Sequence, residues 1–234
     1  MHIFYSTELS EGIFTFSDRE SIHLSRVLRL NVGSTIRVIN DSGTLYECSV
    51  TESTPKCSRA RIEKEFPGFG KRDYHLHIAI APTKNNERFE WFTEKCVEFG
   101  IDEITPLMCE FSERSRVNHE RLERITVAAM KQSIKACPTK INRVTEFDQF
   151  IKNDHRGHRF IAFCDDSFQK ESLKQLYRAG HDATILIGPE GDFSEKEVKK
   201  AVEKGFRTVH LGPSRLRTET AGIAACCTIY LLNQ

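Results

Sequence analysis

LIGPEGDFSEKEVKKAVEKGFRTVHLGPSRLRTETAGIAA, running from Leu186 to Ala225, organises the C-terminal half of this chain. Two apolar, strand-like runs, Thr184–Gly188 and Thr208–Gly212, each end in Gly-Pro. Ser194 and Glu197 stand at capping-box spacing, so a helix is expected from about residue 195, with Gly205 at its end. The pattern is strand, Gly-Pro loop, helix, strand, Gly-Pro loop, helix. In parallel α/β sheets, ligands sit at the carboxyl ends of the strands, which predicts that both loops line one pocket.

The loop chemistry suits a nucleoside-like ligand. Gly188 and Gly191 carry no side chain to obstruct a close backbone approach, and the prolines stiffen the turns. Ser214–Ala221 mixes Arg215, Arg217 and Glu219 with Leu216, Thr218 and Thr220, then opens a very apolar helix, Ala221–Leu232. Either loop alone reads better as an ordinary strand-to-helix turn. The pair at this spacing favours a site.

From residue 73 onward the rest of the chain fits that architecture. Strands are expected at Tyr74–Ala81, Glu103–Met108 and Arg159–Cys164. Helices are expected at Glu87–Phe99, His119–Ile134 and near Ser172–Tyr177, with Gly100 as a C-cap. Alternating strands and helices indicate a parallel sheet covered on both faces. Phe89, Phe92, Cys96 and Phe99 recur at helical spacing and read as core. His75 and His77 form an H-x-H pair with no third ligand nearby, which favours a structural role over a metal.

Residues 1–71 have a different character. Short alternating runs at Ile13–Phe16, Thr35–Asn40, Leu45–Thr51 and Ala60–Phe66 suggest a small barrel, interrupted by one helix from Asp18 to about Leu30. Leu24, Val27 and Leu28 are expected to face its core, leaving His23, Arg26 and Arg29 partly on the open side. Pro67-Gly68-Phe69-Gly70-Lys71-Arg72 marks the boundary, giving domains at 1–71 and 72–234. Gly68-Phe69-Gly70 is not a dinucleotide loop: it lacks the third glycine and precedes a strand.

Composition narrows the functional classes. A charged fraction of 29% with 39% hydrophobic residues fits a soluble globular protein, and no run reaches the ~18 apolar residues of a membrane span. MHIFYSTEL lacks the features of a signal peptide. The eight cysteines form no C-x-x-C pair, so reduced thiols in a cytoplasmic protein are expected, with no metal site. A net charge of +1 means that any nucleic-acid contact rests on local patches. One patch is Arg26, Arg29, Lys56, Arg59 and Arg61. The other is the stretch 112–143, where Arg114, Arg116, Arg121, Arg124, Lys131, Lys135, Lys140 and Arg143 face only Glu113, Glu120 and Glu123.

GPEG before a helix start, followed by LGPSRLRTETA, resembles the signature of the SPOUT (trefoil-knot) RNA methyltransferases. Within them it resembles the RsmE-type enzymes, which methylate N3 of a uridine in bacterial 16S ribosomal RNA. HLSRVLRLNVGSTI resembles the family's N-terminal segment, and KNNERFEWFTEKCVEFGIDEITPLM resembles its Lys, acid-Arg, K-x-x-E-x-G block, here Lys84, Glu87-Arg88, Lys95, Glu98 and Gly100. Asn85 replaces the usual small residue. Asp192 stands where many members have Gly, and Lys131, Ile134 and Lys135 replace the common Glu, Gly and Arg.

The resemblance implies a PUA-like RNA-binding barrel before a SPOUT α/β domain with a C-terminal trefoil knot. It implies a homodimer acting on 16S rRNA of the small ribosomal subunit, with S-adenosyl-L-methionine as cofactor. Cofactor contacts would come from Leu186, Ile187, Gly188, Pro189, Glu190, Gly191, Leu211, Gly212, Leu216, Arg217, Thr218, Thr220 and Ala221. RNA contacts would come from His23, Arg26, Arg29, Lys84, Arg88, Arg114 and Arg116. Uridine N3 must lose a proton, so a base or a cation that stabilises the anion is needed. Arg217, Glu219 and Glu190 are the candidates. A non-catalytic RNA-binding protein, a methyltransferase acting on another RNA nucleotide, and an enzyme of small nucleotides are the alternatives. The last lacks a Walker pattern.

Overall fold

The computed structural model describes residues 2–165 and 168–234. The chain forms two compact units: residues 1–71 with Val127–Pro138, and 72–126 with 139–234.

The N-terminal unit is built on a six-stranded sheet in the order β1-β4-β5-β6-β3-β2. Its strands are β1 (Ile3–Tyr5), β2 (Glu8–Ser10), β3 (Ile13–Phe16), β4 (Thr35–Ile39), β5 (Thr44–Ser53) and β6 (Ser58–Pro67). Only the β1–β4 pairing is parallel. Phe4, Phe14, Ile36, Val38 and Cys48 fill the core.

Helix α1 (Asp18–Ile22) is capped by Ser17 and continues as a π-helical turn, His23–Val27. The expected helix to Leu30 is therefore cut short. Leu28 N–H donates to the His23 carbonyl at 2.9 Å, an i→i+5 bond. That wider winding rotates the following side chains: Leu24 is fully buried, but Val27, expected in the core, is 63% exposed. His23 is half-buried, 6.0 Å from the Phe4 ring, while Arg26 and Arg29 are exposed. Lys131 bonds both carboxylate oxygens of Glu20, at 2.6 and 2.8 Å, and its ammonium lies 5.7 Å from the Phe4 ring. It is thus a paired structural cation.

The larger unit is an all-parallel sheet in the order β10-β8-β7-β13-β11-β14-β12, with β9 beside β8. Its principal strands are β7 (Leu76–Ile80), β8 (Glu103–Met108), β11 (His158–Ala162), β13 (Ala183–Ile187) and β14 (Arg207–His210). β9 (Lys140–Ile141), β10 (Thr145–Glu146) and β12 (Glu171–Ser172) are two-residue edge pieces. Its helices are α2 (Asn86–Phe99), the first part of α3 (His119–Ser133, whose residues from Val127 belong to the other unit), α4 (Phe147–Phe150), α5 (Leu173–Leu176), α6 (Glu195–Glu203) and α7 (Thr218–Leu232). All five residues of β7 and of β13 are buried, as expected for central strands of a doubly covered parallel sheet.

Several helix ends follow from local chemistry. Asn85 caps α2 by accepting from the Glu87 N–H, and Gly100 ends it at φ +86°. Ser194 and Glu197 form the complete capping box of α6. Helix α7 begins at Thr218, three residues before the apolar run. It packs on α2 through Gly222, where a Cβ would come within 2.5 Å of the Phe92 ring.

His77 is buried on β7. Its Nε2 pairs with Thr105 Oγ1 at 2.7 Å, and Phe150 packs edge-on at 5.3 Å. Burial pushes its pKa down from 6.5 to about 4. The ring stays neutral in the fold while the unfolded chain gains a proton below about pH 6.5. This contribution is complete above 6.5 and is lost as pH falls toward 4, by on the order of 3 kcal/mol. Urea titrations across pH 7 to 4 are expected to show a fall in stability that His77→Gln flattens.

Candidate active site

The carboxyl edge of the larger sheet is where the loops after β7, β8, β11, β13 and β14 emerge. The loop after β13, Gly188–Ser194, is the hub. Pro189 and Asp192 close its turn, with the Asp192 N–H donating to the Pro189 carbonyl at 2.9 Å. Two carboxylates of this loop and one from the first turn of α6 each take a backbone N–H from a different neighbouring loop. Glu190 Oε1 accepts from Lys84, after β7, at 3.0 Å. Glu197 Oε1 accepts from Glu110, after β8, at 2.9 Å. Asp192 Oδ2 accepts from Cys164, after β11, at 2.9 Å. Such charge-assisted bonds are stronger than neutral ones and fix loop positions rather than side-chain rotamers.

Glycine at two hub positions is explained by protein packing. A Cβ on Gly188 would sit 3.1 Å from Phe193 and 3.2 Å from Asp192 Oδ1. One on Gly191 would meet Phe111 Cβ at 3.1 Å. The loop is pressed onto its own walls, with Leu186, Ile187, Gly188 and Pro189 buried beneath and Glu190 and Gly191 exposed.

The second loop, after β14, leads to α7. Leu211 and Leu216 are half-buried, and Gly212 is exposed at φ +130° with no heavy atom within 4 Å of an added Cβ. Arg217 is the exposed N-cap of α7, with extended backbone and no side-chain cap bond. Thr218 and Glu219 are buried, and Thr220 and Ala221 half-buried. Glu219 Oε1 lies 3.8 Å from Arg88 Nε, and its buried Oε2 has no hydrogen-bond partner among the described residues. A buried carboxylate oxygen without a donor is costly.

The segment Lys84–Arg88 ties the two loops together, through Glu190 at one end and Glu219 at the other. Arg114 donates from Nε and Nη2 to the Lys84 carbonyl, at 3.2 and 3.0 Å. An open pocket of about 370 Å³ is lined by Lys84, Glu113, Arg114, Ser115 and Arg116. Lys84 Nζ lies 2.8 Å from Glu113, whose hydrogen bond and charge raise the lysine pKa. Lys84, Arg88, Arg114 and Arg116 therefore share one edge, whereas His23, Arg26 and Arg29 belong to the N-terminal unit.

Sequence reasoning missed the walls made by Glu110–Phe111 and Cys164. Their position directly after β8 and β11 is the signal that could have found them. Burial pushes the thiols of Cys109 and Cys164 up, so neither is an activated nucleophile.

Glu197 is buried, and its Oε2 also accepts from Ser194 N–H at 2.8 Å and from Ser194 Oγ at 3.1 Å. Glu197→Ala removes the capping box and orphans the Glu110 N–H. The expected loss is about 2–3 kcal/mol, read by chemical denaturation, with the Glu110 amide exchanging faster.

Comparison with known proteins adds the following. Residues 71–230 match the protein-family model for the RNA methyltransferase domain, and residues 16–63 match that for the RNA methyltransferase PUA domain. The structure superposes on that of a probable rRNA methyltransferase from Porphyromonas gingivalis with a TM-score of 0.92 and 38% identity, covering 100% of this chain and 98% of that one. A Legionella pneumophila methyltransferase structure in complex with bound SAM gives a TM-score of 0.86 at 25% identity, covering 99% and 97%. The ribosomal RNA small subunit methyltransferase E of Aquifex aeolicus is 27% identical over 229 residues, 96% of each protein.

Proposed function

Because the chain belongs to the RNA methyltransferase family, we propose that it methylates N3 of a specific uridine in the 16S rRNA of the small ribosomal subunit, with S-adenosyl-L-methionine as methyl donor. The observation that carries this reading is the meeting of both loop systems at the Lys84–Arg88 segment, on the carboxyl edge of a parallel sheet.

The residues present fit the cofactor. The half-buried Leu211 and Leu216 supply apolar surface, and the unpartnered Glu219 Oε2 can accept from an ammonium, amine or hydroxyl donor. When bound, S-adenosyl-L-methionine supplies an electrophilic methyl group on a sulfonium and a neutral thioether leaving group. The protein's task is to place and deprotonate the uridine. Glu190, exposed and with one carboxylate oxygen held by the Lys84 N–H, accepts the N3 proton. Arg217, exposed at the start of α7, stabilises the negative charge on the uracil oxygens as N3 attacks. Glu219 is buried beside Arg88 and orients that guanidinium toward the RNA. The phosphate backbone is met by Lys84, Arg114 and Arg116 around their pocket, and the PUA-like domain, with His23, Arg26 and Arg29, adds RNA contact.

The assembly is a homodimer with a trefoil knot around the two loops, working in the cytoplasm on small subunits. What supports the dimer is α7: Gly222, Ala225, Cys226 and Ile229 are buried, yet Leu231 on the other side is 63% exposed and Trp91 on α2 is 47% exposed. Among the described residues no helix is long and apolar enough to cross a membrane. Calorimetric titration with S-adenosyl-L-methionine tests the cofactor assignment: saturable one-to-one binding per chain is expected, and no heat of binding would overturn it. Sedimentation of the Leu231→Glu variant tests the dimer.

A further inference from the structure

Asp192 adopts φ +64°, the left-handed region that favours glycine, in the middle of the hub loop. Both of its carboxylate oxygens are used. Oδ1 accepts from the Phe193 N–H at 2.8 Å, and Oδ2 accepts from the Cys164 N–H at 2.9 Å, 28 residues away. Its Oδ1 also packs where a Cβ on Gly188 would lie 3.2 Å away. One side chain therefore holds the turn just before α6 and ties it to Cys164, after β11. A glycine would suit the backbone and supply none of these bonds.

We propose that Asp192 is a positioning residue that sets cofactor affinity by pinning the Gly188–Phe193 turn to the loop at Cys164. This rests on the assignment of S-adenosyl-L-methionine to the two-loop site. The tie holds the turn in its binding shape before the cofactor arrives, so affinity is not spent on ordering two loops at once. The effect is read on cofactor binding, through the shape of the turn, because both Asp192 carboxylate oxygens are held by backbone amides.

The test compares wild type, Asp192→Gly and Asp192→Asn in the full-length protein. Asp192→Gly is expected to remain folded, because the freer left-handed backbone of glycine offsets part of the two carboxylate bonds lost. It is nonetheless expected to bind S-adenosyl-L-methionine about tenfold more weakly by calorimetry. The KM for the cofactor rises by a similar factor, and the Cys164 amide exchanges faster. Asp192→Asn, which tolerates positive φ and keeps one acceptor, is expected to recover part of the affinity. A Kd for Asp192→Gly within twofold of wild type overturns the proposal while leaving the cofactor assignment intact. No binding by the wild type overturns both.

Discussion

Arg217→Ala is expected to lower methyl transfer to small ribosomal subunits by about 10²–10³-fold, the range seen when a donor aimed at developing negative charge is removed. Its position explains why the loss falls on chemistry. Arg217 is the exposed N-cap of α7, and its side chain makes no cap bond. Its neighbours Thr218 and Glu219 are buried and anchor the helix without it. Stability is therefore expected to change by less than about 0.5 kcal/mol, as for an exposed substitution. Single-turnover assays at saturating cofactor, with circular dichroism as the fold control, separate the two effects. A variant with normal turnover would remove Arg217 from the reaction. Arg217→Lys keeps the charge but loses the planar fork, and is expected to fall between wild type and Ala.

The largest loss of stability is expected at Gly157→Ala. Gly157 precedes β11 at φ +66°, and a Cβ there would lie 2.0 Å from the Asp182 carbonyl oxygen. The obstruction is backbone, so no rotamer change relieves it. The same carbonyl accepts the His158 N–H at 2.8 Å, and Asp182 Oδ1 accepts the His75 N–H at 2.8 Å. Moving Asp182 thus disturbs the starts of β7, β11 and β13 together. Left-handed strain and overpacking add to roughly 3 kcal/mol or more, a fall in Tm of about 6–12 °C for a chain of this size. Scanning calorimetry reads it. Gly180→Ala provides the contrast: it shares the backbone strain at φ +77°, but an added Cβ meets nothing within 4 Å, so a smaller loss is expected.

Much of the fold was legible because its signals are local. The Ser194–Glu197 box, the Gly100 cap and the strand Glu103–Met108 depend on neighbours within a few residues, and the structure has all of them. The π-helical turn at His23–Val27 was not legible: HLSRV reads as an ordinary helix, and the wider winding that exposes Val27 has no residue signature. β9, β10 and β12 are too short to carry a period of two.

The site was legible as two loops and illegible as a framework. Glu190, Asp192 and Glu197 were visible as acids in a helix-leading loop. Their partners are backbone amides of Lys84, Cys164 and Glu110, and a backbone amide leaves no mark on a sequence. The burial of Glu219 was hidden for a similar reason. It lies at the start of a helix where a carboxylate is ordinarily solvated, and only the packing of α7 on α2 and β7 encloses it. Arg114 read as a phosphate ligand from charge alone, yet part of its guanidinium is engaged with the Lys84 carbonyl.

The reaction itself is tested by tritium transfer from labelled S-adenosyl-L-methionine to small ribosomal subunits lacking the modification, followed by nucleoside analysis of the 16S rRNA. The predicted result is a single labelled 3-methyluridine peak that disappears with Arg217→Ala. Label in a different nucleoside, or none at all with a folded and cofactor-bound protein, would contradict it.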